Sequence, residues 1–115
     1  LSVGLPHPRS YGTFPRFFAM MVRGDQHMKL EEAVRKMTSL PAERLRLTRR
    51  GRLAPGYFAD ITVFDAELIE DRADFSAPHQ YPEGVQHVFV NGAPAVSDGK
   101  STGTTAGRLL RNPVD

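Results

Sequence analysis

Val85-Gln86-His87-Val88-Phe89-Val90-Asn91-Gly92-Ala93-Pro94-Ala95-Val96 is the stretch on which the fold turns. Its β-branched and aromatic residues fall into two short runs. Between them, Asn91-Gly92 supplies the residues that a type I′ turn needs, both at positive φ. A hairpin of residues 85–90 and 93–96 is predicted. Pro94 has no N–H to give to a ladder, so the returning segment should be an edge or bulged strand. Ser97-Asp98-Gly99-Lys100 turns the chain again. The polar tail beyond it, with Leu109, Leu110 and Val114 as its larger apolar residues, is expected to fray.

Upstream of the hairpin, residues 59–64 contain Ile61-Thr62-Val63-Phe64 between Asp60 and Asp65. The run is apolar on both faces and predicts a central strand. Residues 66–84 form a long excursion ending in Pro78-His79-Gln80-Tyr81-Pro82-Glu83-Gly84, which reads as an ordered surface loop. Before Gly51 the period becomes helical. Leu30, Ala33, Val34, Met37 and Leu40 lie on one face of a helix over residues 30–40, whose outer face offers Glu31 to Arg35 and Glu32 to Lys36. Pro41 should close this helix and open a short turn over residues 42–47, with Ser39 as its cap. Residues 15–23 predict a further helix, with Pro15 in its first turn and Gly24 at its C-terminal cap. Phe17, Phe18, Met20, Met21 and Val22 make this helix apolar on more than one face, so it needs packing partners on several sides. Residues 1–12, rich in proline and glycine, read as a loop.

The 115 residues allow one ordinary domain and exclude a complete multi-domain enzyme. With 40% hydrophobic and 24% charged residues the composition is globular. The absence of cysteine removes disulfides, thiolate zinc sites and a cysteine nucleophile. No apolar run reaches the roughly 18–20 residues of a membrane span, and no signal-peptide layout opens the chain. A soluble, cytoplasmic protein with no membrane partner is expected. The net charge of +2 conceals an asymmetry: residues 1–58 hold eleven Lys/Arg against four Asp/Glu (+7), residues 59–115 four against nine (−5).

Few residues suggest chemistry. His7, His27, His79 and His87 match no metal-ligand spacing. His87 alternates along a strand and reads as a packing residue, His27 as solvated, and His79 as a loop residue that bonds backbone to hold that loop's shape. No serine sits in a nucleophile elbow, no phosphate-binding glycine motif is present, and Asp60 and Asp65 are too far apart along a strand to act as a pair. Arg44, Arg46, Arg49, Arg50 and Arg52 could neutralise phosphates with Tyr57 or Phe58 stacking on bases. They equally suit a helix C-terminus followed by a core strand, and no nucleic-acid partner is expected. His7 and Arg9 place a titratable ring and a fixed guanidinium within three residues, a pattern suited to a substrate carboxylate.

Taken together, His7-Pro8-Arg9-Ser10-Tyr11-Gly12-Thr13-Phe14-Pro15-Arg16, residues 30–42, Gly56-Tyr57-Phe58-Ala59-Asp60, His79-Gln80-Tyr81-Pro82-Glu83-Gly84 and Val90-Asn91-Gly92 resemble the C-terminal region of the N-acyl-D-amino-acid deacylases of the amidohydrolase superfamily. The resemblance covers nearly the whole chain. It implies an α+β fragment: residues 1–51 would be the last loop and closing helices of a (β/α)₈ barrel, residues 52–115 part of a small composite β-sandwich domain. It also implies that zinc ligands and the catalytic aspartate lie upstream, so the fragment would hold neither catalytic nor metal-binding residues and be inactive alone. The parent would hydrolyse the N-acyl amide of a D-amino acid with zinc. His7 and Arg9 would border the substrate, and the missing barrel would be the fragment's partner. The alternative is a non-catalytic module, binding acidic polymers through residues 44–52 or self-associating through Phe17, Phe18 and Met21.

Overall fold

The computed structural model describes residues 4–111. Helix α1 (Arg9–Phe18) runs directly into a π-helical turn (Ala19–Gly24), followed by α2 (Leu30–Met37) and α3 (Ser39–Arg44). The strands β1 (Ile61–Phe64), β2 (Val85–Val90), β3 (Ala93–Ser97) and β4 (Lys100–Ser101) form one antiparallel sheet in the order β1-β2-β3-β4. Leu1 to Val3 and Val114 lie outside the described residues. No helix among the described residues is long and apolar enough to cross a membrane.

The hairpin forms where expected. Asn91 and Gly92 take φ of 50° and 84°, and Asp98 and Gly99 repeat the device at 49° and 72°. Phe89 faces Pro94, and the register slips beside that pair, so Pro94 sits in an irregular, bulged ladder.

Three elements differ from the prediction. The first helix starts at Arg9 rather than Pro15. Pro8, at φ −51°, already has helical geometry, and the Arg9 amide donates to His7 Nδ1 at 3.1 Å. Pro15 is therefore inside the helix, where it gives up the bond its N–H would make to the Tyr11 carbonyl. Gly24 ends the π turn without a left-handed conformation, which falls instead on Gln26 at φ 50°.

The second helix stops at Met37. Pro41 cannot donate to the Met37 carbonyl and its ring would strike it, so the chain breaks at Thr38 (φ −128°, ψ −83°) and restarts as α3. Ser39 is thus inside α3, with Thr38 in the capping position. On the outer face Arg35 meets Glu32 in a two-pronged pair at 2.7 and 2.8 Å, three residues apart, in place of the expected pairs four apart.

Strand β1 is an edge strand, with Thr62 and Val63 exposed, where the apolar pattern predicted a central one. The pattern reports burial that the described residues do not supply.

The core is small. Phe18, Ala33 and Ile69 are buried together, and Phe64 and Val85 pack against them from the sheet. Phe18 and Phe64 lie 5.0 Å apart, so helices and sheet share one contact layer. Ile69 comes from the excursion of residues 66–84, whose ends meet: the Asp65 amide donates to the Gly84 carbonyl at 2.8 Å, and Glu70 bridges Glu83. The accessible surface of 8543 Å² exceeds the roughly 6,300 Å² of a compact 12.8 kDa monomer.

Candidate substrate-binding loop

Residues 4–8 form a proline-stiffened loop entering α1, and three rings of the excursion hold this loop and the first turn of the helix. Phe75 meets the His7 ring edge-on at 5.0 Å. Tyr11 lies between His79 and Tyr81, at 5.6 and 5.7 Å, both edge-on. His79 Nε2 is 2.8 Å from the Gly4 carbonyl and Nδ1 is 3.0 Å from the Tyr11 hydroxyl. A carbonyl only accepts, so Nε2 donates to Gly4, and Nδ1 shares the second bond with the Tyr11 hydroxyl, which can donate or accept. His79 therefore holds a segment 75 residues away, not its own loop as expected. The excursion has its own anchors: Pro78 is fully buried, and Asp74 Oδ1 accepts from the Ser76 hydroxyl and the Ser76 and Ala77 amides. Those bonds, the Ser76 hydroxyl first, hold the Asp74 carboxyl below its ordinary range.

His7 and Arg9 come together through the bond from the Arg9 amide to His7 Nδ1. Both are exposed, and no group among the described residues accepts from the Arg9 guanidinium. Tyr11, Phe75 and Tyr81 were not singled out from sequence. Their signal was aromatic residues stranded among prolines and glycines, outside any apolar period.

An open cavity of about 710 Å³ lies between the π turn and residues 70–74. Arg23 crosses its wall to donate to the carbonyls of Ala66 (3.2 Å) and Ile69 (2.5 Å). Arg16 reaches Asp71 at 3.5 Å. Gly12 is required at this contact, because a Cβ there would lie 2.7 Å from the Asp71 Cβ.

The remaining candidates have local partners. His27 is solvated, 3.7 Å from Asp25, and His87 is half-buried in β2. No group of three His, Cys, Asp or Glu converges among the described residues, so they do not offer the donor set that a zinc ion needs. Within the basic stretch Arg50 turns inward, pairing with Asp60 and donating to Asn91 Oδ1 at 2.7 Å, Arg52 pairs with Glu43 at the surface, and Arg49 and Arg50 lie over the Phe58 ring. Phe58 is thereby covered by the arginines that were to bind phosphates, while Tyr57 stays exposed, and the polymer-binding alternative is not favoured. The self-association surface also fails as drawn, since Phe18 is in the core and Phe17 and Met21 are half-buried.

A model of the amidohydrolase family matches residues 3–96. The chain belongs to the amidohydrolase family. A D-aminoacylase of Alcaligenes xylosoxydans xylosoxydans is 47% identical over 105 residues, which are 91% of this chain and 22% of that protein. The crystal structure of a D-aminoacylase superposes with a TM-score of 0.89 at 44% identity, over 94% of this chain and 23% of that one. The N-acyl-D-glutamate deacylase of Bordetella bronchiseptica, solved with zinc and a phosphonate inhibitor mimicking the tetrahedral intermediate, superposes at 0.77 with 40% identity, over 84% of this chain and 21% of that one. This amidohydrolase chain thus spans about a fifth of the length of the relatives it matches.

Proposed function

We propose that this chain is the C-terminal segment of a zinc-dependent N-acyl-D-amino-acid deacylase, which hydrolyses the N-acyl amide of a D-amino acid. The observation that carries the reading is the superposition of almost the whole chain on a fifth of a D-aminoacylase at 44% identity. In this reading residues 1–51 are the last barrel loop and the closing helices, and residues 52–115 are a contribution to the small β-sandwich domain. The excess surface and the open edge of β1 support it, because both are what a missing barrel and missing strands would leave uncovered. The zinc ligands and the proton-transferring carboxylate belong to the rest of the enzyme, and the location is cytoplasmic.

Arg9 is the proposed contact to the substrate carboxylate, with His7 beside it. An arginine gives such a carboxylate two parallel hydrogen bonds, and its planar fork orients the substrate as well as holding it. The test is an assay of the full-length protein on matched N-acyl-D- and N-acyl-L-amino acids, with and without a chelator. Chelator-sensitive hydrolysis confined to the D series supports the reading, and its absence removes it. Unchanged affinity for every acidic substrate in Arg9→Ala removes the assignment of Arg9.

A further inference from the structure

We propose that His79 is a positioning residue for the substrate loop, fixing Arg9 by tying the Gly4 carbonyl and the Tyr11 hydroxyl to the 66–84 excursion. The inference rests on the deacylase reading for the identity of the substrate. The geometry stands without it.

His79 has the features of a built clamp. Pro78 is fully buried, so the backbone presenting the imidazole is anchored. The ring makes one bond on each side of residues 5–10: to Gly4 before them at 2.8 Å and to Tyr11 after them at 3.0 Å. The segment that carries His7 and Arg9 is thus held at both ends by one side chain. Gly4, whose carbonyl His79 grips, adopts φ 108°, a conformation open to glycine. Between the two bonds, Phe75 meets the His7 ring. His7 in turn accepts from the Arg9 amide. Orientation of a binding group by such supporting contacts lowers the ordering required when substrate arrives.

The two bonds can be separated. Glutamine places its amide nitrogen near the position of Nε2 and can still donate to Gly4, whereas asparagine is too short to reach it. In the full-length enzyme, His79→Asn should raise KM for an N-acyl-D-amino acid about tenfold and leave kcat within about twofold, a change of about 1.4 kcal/mol, the scale of one hydrogen bond. His79→Gln should restore most of the loss. Tyr11→Phe, which removes only the hydroxyl, should give an intermediate KM. In an Arg9→Ala background, His79→Asn should add nothing further, because its effect passes through Arg9. Amide hydrogen exchange should quicken in residues 4–12 of His79→Asn and not in α2 or β2. The proposal is overturned if Arg9→Ala raises KM while His79→Asn does not, if His79→Gln fails to rescue, or if exchange in residues 4–12 is unchanged. A full-length protein that hydrolyses no N-acyl-D-amino acid overturns the deacylase reading and the substrate half of this proposal. Exchange then still decides the clamp.

Discussion

Arg50 and Asp60 form an ion pair that joins the end of the helical segment to the start of the sheet. The arginine side chain is 12% exposed and the carboxylate 32%. Asp60 Oδ1 also accepts the Asn91 amide at 2.8 Å, Arg50 donates to Asn91 Oδ1, and Asn91 Nδ2 reaches the Ala106 carbonyl at 2.7 Å. Turn, strand and basic stretch are therefore closed into one network. Arg50→Ala leaves the Asp60 carboxylate without its cationic partner and removes the nearer of the two guanidinium groups over Phe58, and should lower stability by about 2 kcal/mol, between exposed and buried pairs. Arg50→Lys should recover less than half, since an ammonium cannot reproduce the fork. Urea midpoints of the three proteins check this.

Gly84 and Gly56 have nearly the same φ, 79° and 81°, in different surroundings. A Cβ on Gly84 would lie 2.5 Å from the Ile69 backbone nitrogen, and one on Gly56 would meet nothing within 4 Å. Gly56→Ala should lose only the left-handed strain, about 1 kcal/mol. Gly84→Ala adds a backbone collision at the core and should lose about 3 kcal/mol or more. Equal losses would show that the contact between residues 69 and 84 is loose.

Ile69 is buried at the centre of the core, against Phe18 and Ala33. Ile69→Ala should cost about 2–4 kcal/mol, and exposed Leu68→Ala close to nothing. Thermal unfolding compares the two.

Glu83 and Glu32 are held below the ordinary carboxylate range, chiefly by hydrogen bonds from Arg72 and Arg35. A depressed folded pKa contributes stability that is present above the unfolded value and lost as pH falls through the folded one. Stability should therefore decline on the acid side of the ordinary glutamate range. The difference between the protein and Glu83→Gln should shrink there, remaining small throughout because both ends of the pair are exposed. Unfolding midpoints across an acid pH series measure it.

The isolated chain, with zinc supplied, should hydrolyse no N-acyl-D-amino acid, because the described residues bring no three metal-binding side chains together. Turnover by the purified chain would place the chemistry within it.

The regions where sequence reading succeeded are those governed by neighbours. Asn91-Gly92 and Asp98-Gly99 carry their turn geometry in residue type, since left-handed φ is accessible to Asn, Asp and Gly at low strain. The periodic face of α2 located that helix, and the ordered set of motifs pointed to the deacylases. The helix ends were harder to read, because Pro8 and Pro15 each permit a start, and the earlier one goes with the helical geometry of Pro8 and the bond from the Arg9 amide to His7.

What the residues determined unaided is local: two tight turns, a helix broken by Pro41, and a family likeness spread along the chain. Tertiary structure alone decided that Ile69 of an unpatterned loop completes the core, that apolar β1 lies at an edge, and that His79 bonds Gly4 and Tyr11. The physical reason is distance along the chain. Partners 75 and 68 residues apart leave no periodicity in sequence, and an imidazole in a loop reads the same whether it meets water or a carbonyl.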